Sequence, residues 1–236
     1  MKLAVYATAL LTASAAHANT TVAFDDGDAQ GWTLQNSIDL QNSGGNPGGF
    51  LNLFIIDTFG INLATSTNEA FLGDYGARGG PITVSADIKT TRVWNNFVGD
   101  VPRGLVVEFR NYDLAQGGLP WTSVWTPVGT LASGTDWTTY SATIEDANAT
   151  ELPAGWGGYG AEDPVTFEPI LPDGVTFADV LADVDEVVFT TFVPGFFFGF
   201  TNFDVGADNI SIAVVPAPAS AVLMGLGGLA ATRRRR

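Results

Sequence analysis

Apolar and polar side chains alternate along much of this chain. In Ile82–Lys89 every even-numbered position is apolar and every odd-numbered position is polar, which places one face of a β-strand on a core and the other in solvent. The same period of two occurs in Leu105–Arg110, Tyr140–Ile144 and Ile210–Val214. These segments therefore predict half-buried strands.

Three further segments are denser in aromatic and β-branched residues: Phe50–Ile56, Glu186–Phe192 and Phe196–Phe203. Continuous apolar runs of this length are typical of central strands that are buried on both faces. Glycine, asparagine, aspartate and proline separate the runs, as turns require. The run Phe196–Phe200 has a second interpretation, a loop that inserts into a membrane, although a buried strand fits the pattern better.

One helix is predicted near residue 180. Thr176 and Asp179 form a capping-box-like pair, and apolar residues follow at helical spacing. A helix of about nine residues is too short to stand alone and should lie across one end of the fold. Many strands, one helix and no alternation of strands with helices predict an all-β protein, an antiparallel β-sandwich of the jelly-roll type with one short helix.

The first 18 residues have the order of features of a secretory signal peptide. Lys2 supplies the positive charge, an apolar run follows, and Ala16-His17-Ala18 is a small-x-small cleavage site. Cleavage should fall between Ala18 and Asn19, leaving a β-sandwich domain over residues 19–215. The only histidine, His17, would leave with the peptide.

The last 21 residues, 216–236, carry a proline pair (Pro216 and Pro218), a Gly/Ala/Leu-rich apolar stretch and four terminal arginines (Arg233, Arg234, Arg235 and Arg236). A basic cluster after a hydrophobic helix holds that end in the cytoplasm. The segment resembles the PEP-CTERM sorting signal of exported bacterial proteins, although Ala217 stands where glutamate is usual. The resemblance implies processing by an exosortase, a transient inner-membrane anchor, and delivery to the cell surface or extracellular matrix.

Charge and composition exclude several chemistries. The chain has ten basic and 25 acidic residues. Residues 19–215 contain five of the basic residues and all 25 acidic ones, which gives this part of the chain a net charge of −20. Such a domain repels nucleic acid. There is no cysteine, and without His17 there is no imidazole, which excludes thiol chemistry, a Ser-His-Asp triad and a histidine-zinc site.

Five short motifs along residues 24–210 resemble bacterial laminin-B-like and carbohydrate-binding-module-like jelly rolls. The resemblance implies a non-catalytic adhesive or glycan-binding module. The motifs are Phe24–Trp32, Gly45–Leu51, Phe71–Gly76, Asp136–Tyr140 and Ala207–Ile210.

Clustered aspartates indicate a structural Ca²⁺ site. Asp25 and Asp26 follow the first predicted strand, and Asp204 and Asp208 flank the last one; the first and last strands of jelly rolls often lie side by side. Ca²⁺ takes six to eight oxygen ligands, which loop carboxylates and carbonyls supply. The alternative is that these acids, with Asp28 and Asp204, are solvated or cap turns.

Aromatic residues near glycines form a candidate glycan platform, because sugar rings stack on exposed aromatic faces. The alternative is that such rings cover an edge of the core. We expect Trp32 and Trp137, beside predicted strands, to be core residues. The candidate ligand-binding residues are Trp94, Trp121, Trp125, Trp156 and Tyr159.

Paired carboxylates leave one enzymatic alternative open, a glycan hydrolase or lyase, since such enzymes need only two suitably spaced acids. Glu108, expected on the solvent face of its strand, and acids in 145–146, 162–168 and 183–186 are available. None has the strand spacing expected of a jelly-roll glycosidase. The sequence therefore favours an exported binding or structural module associated with exopolysaccharide, and an inert matrix component is a further possibility.

Overall fold

The computed structural model describes residues 19–196 and 199–215, which form a β-sandwich. The predicted signal peptide and sorting segment lie outside the described residues. The described residues contain fifteen strands: β1 Thr20–Val22, β2 Trp32–Leu34, β3 Leu40–Gly45, β4 Gly48–Thr58, β5 Asn62–Thr65, β6 Ile82–Asn95, β7 Gly99–Asp100, β8 Arg103–Asn111, β9 Thr122–Leu131, β10 Thr135–Ile144, β11 Gly157–Tyr159, β12 Ala161–Glu162, β13 Pro169–Ile170, β14 Glu186–Thr190 and β15 Thr201–Val214.

Two antiparallel sheets make up the sandwich. The first has the order β10-β6-β15-β4-β3, with β1 added to β15 and β7 to β6. The second has the order β11-β9-β8-β14-β5-β2, and β12 and β13 form a separate hairpin. The fold prediction is confirmed, as is the pairing of the first and last strands, which are antiparallel with Val22 opposite Ile210.

The core lies between the inner faces of the two sheets. The apolar positions of the alternating segments point inward, for example Val84 and Ile212 in the first sheet and Val107 and Phe109 in the second. Trp32 is fully buried, as predicted, with its ring edge-on to Phe71 at a centroid distance of 5.0 Å. The period-two pattern therefore identified the core correctly.

The helix, α1, spans Phe177–Leu181 and begins with the predicted capping box: Thr176 accepts a hydrogen bond from the backbone of Asp179, whose side chain accepts from Thr176. It is shorter than the expected nine residues. Val184 is buried as its spacing required, but its backbone exchanges two hydrogen bonds with Gly73, at 2.8 and 3.0 Å. This bridge ends the helix before Val184.

For two of the three segments predicted to be strands buried on both faces, the prediction is wrong. In β4 the residues alternate in burial, and Phe54 and Ile56 are exposed on the outer face of the first sheet. In Phe196–Phe203, Phe196 and Phe200 are exposed loop residues and the strand begins at Thr201, while residues 197 and 198 lie outside the described residues. Of the three segments, only the one that forms β14 is buried on both faces.

Two further expectations are corrected by burial. Trp137 is not a core residue; it lies on the outer face of the first sheet, edge-on to Phe50 at 5.6 Å. Glu108 and Arg110 are not solvent-exposed, because the outer face of β8 is covered. Among residues 19–196 and 199–215, no helix is long and apolar enough to cross a membrane.

Candidate functional site

The outer face of the second sheet brings polar and aromatic side chains together across neighbouring strands. Glu108 lies opposite Trp125 of β9 and Arg110 lies opposite Ser123. On the other side of β8, Arg110 is also opposite Glu186 of β14. Tyr159 of β11 pairs with Ser123, so these side chains share the face that points away from the core.

Arg110 is held between two glutamates. Its Nε and Nη2 donate to Oε2 of Glu108 at 3.0 and 2.7 Å, and its Nη1 donates to Oε2 of Glu186 at 2.7 Å. The other oxygen of Glu108 accepts from Ser123 Oγ at 2.5 Å and Trp121 Nε1 at 3.0 Å. Every polar atom of Glu108 is therefore engaged.

The electrostatics of this network follow from burial and ion pairing. Burial by itself lowers the pKa of Arg110, but its ion pairs with Glu108 and Glu186 raise the pKa above its ordinary value. Tyr112 donates to Oε2 of Glu186 at 2.9 Å, and burial together with the nearby carboxylate raises the pKa of this tyrosine to about 12. Arg110 is thus a fixed cation and Tyr112 a neutral donor at neutral pH.

Aromatic rings stand next to this network. The guanidinium of Arg110 lies 3.9 Å from the centroid of the Trp121 ring, within cation–π range. Trp121 lies 5.9 Å from the ring of Tyr159 and 6.4 Å from that of Tyr112. Trp125 extends the row over Gly157, where a Cβ atom would come within 2.4 Å of the indole. The rings are therefore positioned by the ion pairs and by a glycine.

A cleft of about 390 Å³ opens above these side chains. Residues of the segment after β14 line it together with the aromatic residues. Asn62, also in the lining, has an Oδ1 atom without a hydrogen-bond partner among residues 19–196 and 199–215. The lining residues are Asn62, Glu108, Arg110, Trp121, Tyr159, Phe192, Val193, Pro194 and Phe196.

The structure divides the five predicted ligand-binding residues. Trp121, Trp125 and Tyr159 share the outer face of the second sheet. Trp94 lies in β6 of the other sheet, 6.0 Å from Phe54, and Trp156 packs edge-on against Phe177 at the margin of the core. Three of the five predicted residues therefore lie on the sheet face that carries the cleft.

Sequence reasoning missed the ionic part of the site. Glu108 was considered only as a possible catalytic acid, and Arg110 and Glu186 were not connected with each other. The spacing of Glu108 and Arg110 already placed both on one strand face. The partner strand β14 is 76 residues further along the chain, so no local pattern reveals the third member.

The structure brings two of the three predicted metal ligands to one turn and leaves the third apart. Asp25 accepts from the backbone of Gly49 at 2.9 Å, and Asp208 accepts from the backbone of Asn46 at 2.6 Å, so both hold the turn between β3 and β4. Asp26 instead accepts from the backbone of Asp28 at 3.0 Å. Within 19–196 and 199–215 no three side chains of metal-ligating type come together.

The corner around Asp208 nevertheless concentrates negative charge. Burial of Asp208 raises its pKa, hydrogen bonds from the backbone of Asn46 and Asn209 oppose this, and the charges of Asp25 and Asp87 raise it further. Carboxylates and turn carbonyls are suitable oxygen donors for Ca²⁺, which would relieve this repulsion. Two of the three predicted ligands, Asp25 and Asp208, therefore lie at this corner, and Asp26 does not.

No family model and no characterised protein matches this sequence. Similar solved structures include the family 11 carbohydrate-binding module from Clostridium thermocellum in complex with a β-1,3-1,4-mixed-linked tetrasaccharide, at 11% identity over 84% of this chain and 96% of that one, with a TM-score of 0.48. An exo-β-agarase is 13% identical over 83% of this chain and 25% of the agarase chain, with a TM-score of 0.46. The C-terminal family 22 carbohydrate-binding module of Xyn10B from Clostridium thermocellum is 11% identical over 83% of this chain and 92% of that module, with a TM-score of 0.42.

Proposed function

We propose that this domain is a glycan-binding module whose ligand lies in the cleft over the second sheet. One observation carries the proposal: Trp121 and Tyr159 stand beside the buried Glu108–Arg110 pair on one open face. Sugars present apolar C–H faces and polar hydroxyl edges, so their sites combine aromatic rings with a few fixed polar groups. Asn62 adds an acceptor to the lining.

The charge of the cleft favours uncharged glycans. Its one arginine, Arg110, is already neutralised by Glu108 and Glu186. A uronate or sulfate would meet no uncommitted cation in the described lining, and it would approach a domain with a net charge of −20. An exopolysaccharide ligand of this cleft is therefore a neutral one.

The network supports binding better than catalysis. A glycosidase needs one carboxyl group that donates a proton and a second that acts as base or nucleophile. Both oxygens of Glu108 accept hydrogen bonds from protein donors, and Oε2 of Glu186 accepts two. The alternative function, a carboxylate-dependent glycan hydrolase or lyase, would have to break these bonds to use either residue.

Binding is tested by affinity electrophoresis of the purified chain in gels that contain β-glucan, xylan, agarose or the acidic polymer alginate. Trp121→Ala should abolish retardation by the neutral polymer that binds. Trp94→Ala removes the same side chain from the opposite sheet and should leave retardation unchanged. Retardation by none of the polymers, or equal losses in both variants, would refute the proposed site.

The same samples test the enzymatic alternative. Release of reducing or unsaturated ends from a bound polymer would show turnover, and its loss in Glu108→Gln would place the chemistry in the cleft. A binding module retains the polymer and releases no ends. Binding without turnover is the result that we expect.

We also propose export and C-terminal sorting from the sequence features of residues 1–18 and 216–236. In this proposal the domain is anchored transiently in the inner membrane, processed by an exosortase and delivered to the cell surface or matrix. Mass spectrometry of the exported product should find an N-terminus at Asn19. A product that retains His17, or one whose delivery survives replacement of Arg233–Arg236 by alanine, would contradict the corresponding half of the proposal.

A further inference from the structure

Three segments of the chain carry the motif Asn-x-Ser/Thr, without proline in the middle position, which accepts N-linked glycans in exported proteins. They begin at Asn19, Asn148 and Asn209. Such short motifs often arise by chance, and attachment of a bulky glycan to a folded protein requires an asparagine amide that is accessible on a surface loop. The structure therefore decides which of the three motifs can be used.

The motif at Asn209 is closed to modification by the fold. Asn209 lies inside β15, and its Nδ2 donates to Oδ2 of Asp87 at 3.0 Å and to the carbonyl of Asn46. Ser211, which supplies the hydroxyl group of the motif, shares a hydrogen bond of 2.8 Å with Ser85. The nitrogen that would carry the glycan is therefore already committed within the first sheet.

The motif at Asn19 is also held by the first sheet. Oδ1 of Asn19 accepts from the backbone of Val214 at 3.1 Å. The other two residues of the motif, Thr20 and Thr21, belong to β1 and are paired with β15. A transferase that holds this segment would have to break the pairing of the first and last strands.

The motif at Asn148 lies on a turn after β10. Asn148 and Thr150 are exposed, whereas Ala147 is buried and Ala149 is half-buried against the core. The two alanines anchor the turn, and both functional side chains of the motif are in solvent. Within the part of the chain that the structure describes, the side chain of Asn148 makes no hydrogen bond.

Local hydrogen bonds fix the shape of this turn. Oδ1 of Asp146 accepts from the backbone N–H of Asn148 at 2.9 Å, which makes an Asx turn. The carbonyl of Ala149 accepts from the backbone of Ala178, in α1, at 3.0 Å. The turn is therefore held through its backbone and through Asp146, and the amide of Asn148 is left available to react.

The turn lies at the end of the sandwich where the chain leaves β15 for the sorting segment. Ile144, the last residue of β10, is opposite Ile82, which is in turn opposite Val214. With about 4.8 Å between neighbouring strands, Ile144 and Val214 are about 10 Å apart. The donor of an N-linked glycan is carried on a membrane lipid, so an acceptor beside a membrane-anchored end of the domain is within its reach.

We propose that Asn148 carries an N-linked oligosaccharide, added after export by a membrane oligosaccharyltransferase from a lipid-pyrophosphate donor. Nδ2 of Asn148 forms a bond to the anomeric carbon of the donor sugar, and the bond from that carbon to the pyrophosphate oxygen breaks. The lipid pyrophosphate leaves, and one amide proton passes to a base of the transferase. The proposal rests on the export proposed above and is independent of the glycan-binding cleft.

The positions of the glutamates allow a direct test on the full chain, purified from the surface of the cells that produce it. Cleavage after glutamate puts the three motifs on separate peptides, and Asn148 falls in the short peptide Asp146–Glu151. We expect mass spectrometry to find the added mass of an oligosaccharide on this peptide. The peptides that contain Asn19 and Asn209 should have their unmodified masses.

Three variants test the linkage to Asn148. Asn148→Gln and Thr150→Val should lose the added mass completely. Thr150→Ser is the matched control and should keep it, because serine also supplies the hydroxyl group of the motif. An oligosaccharide linked to Thr150 itself would survive Asn148→Gln, and this result would overturn the assignment.

The N-terminus of the same product separates failure of the site from failure of export. A peptide Asp146–Glu151 without added mass, in a product that begins at Asn19, would overturn the glycan site and leave the export proposal intact. The same peptide in a product that still contains His17 would overturn the export proposal and the site with it. An added mass on the Asn209 peptide would overturn the selection of Asn148 by accessibility.

Discussion

Arg110→Met removes the cation that the two buried glutamates share. Three hydrogen bonds of 2.7–3.0 Å are lost, and the side chains of Glu108 and Glu186, 3% and 15% exposed, lose the cation that pairs with them. Removing one member of a buried ion pair costs about 3–5 kcal/mol. Glu108 keeps its bonds from Ser123 and Trp121, so we expect about 3 kcal/mol.

The free energy of unfolding is measured by urea denaturation, together with the midpoint of thermal unfolding. For a domain of this size, 3 kcal/mol corresponds to a fall of roughly 6–12 °C. Arg92→Met breaks the exposed pair between Arg92 and Asp100 and should cost less than about 1 kcal/mol. The double variant Glu108→Gln/Arg110→Met should recover part of the loss, because one unpaired charge is removed.

The reasoning is refuted if Arg110→Met costs no more than Arg92→Met. Such a result would mean that water reaches the glutamates freely and that the network is not a buried one. Equal stability of the double variant and Arg110→Met would also contradict it. In that case, loss of packing by the arginine, and not an uncompensated carboxylate, would be the cause.

Two further predictions concern other parts of the fold. Thr176→Ala removes the capping box of α1 and should lower the free energy of unfolding by about 0.5–2 kcal/mol, whereas Thr176→Ser should change it little; an unaltered urea midpoint in Thr176→Ala would show that the cap is dispensable. Ca²⁺ should raise the thermal midpoint relative to excess chelator, and Asp208→Asn should abolish this response; an identical midpoint in both solutions would dispose of the cation site. The pKa of Asp208 is raised in the folded state, so between the ordinary aspartate pKa and the raised one the folded protein binds more protons than the unfolded chain. Without Ca²⁺, this group therefore makes the free energy of unfolding fall as the pH rises through that window. Asp208→Asn should flatten that slope.

The sequence determined the architecture because the alternation of apolar and polar residues within a strand shows which of its faces is buried. Alternation in Ile82–Lys89 and Ile210–Val214 put one face of each strand in the core whatever its neighbours were. The capping box of α1 was equally readable, since both partners lie within one turn. The end of that helix was not, because a backbone bridge from Gly73, more than 100 residues earlier in the chain, replaced its last turn.

The tertiary structure alone decided what lies on the outer faces. Their own strand alternates, so the sequence predicts Glu108 and Arg110 to face solvent, but the side chains of Glu186 and Trp121 pack against them. The sequence predicts Phe54 and Phe200 to be buried because they are apolar, but both are exposed among the residues that the structure describes. A side chain's own polarity predicts whether burial would be favourable; whether a neighbour arrives to bury it depends on strand order, which segments distant in sequence determine together.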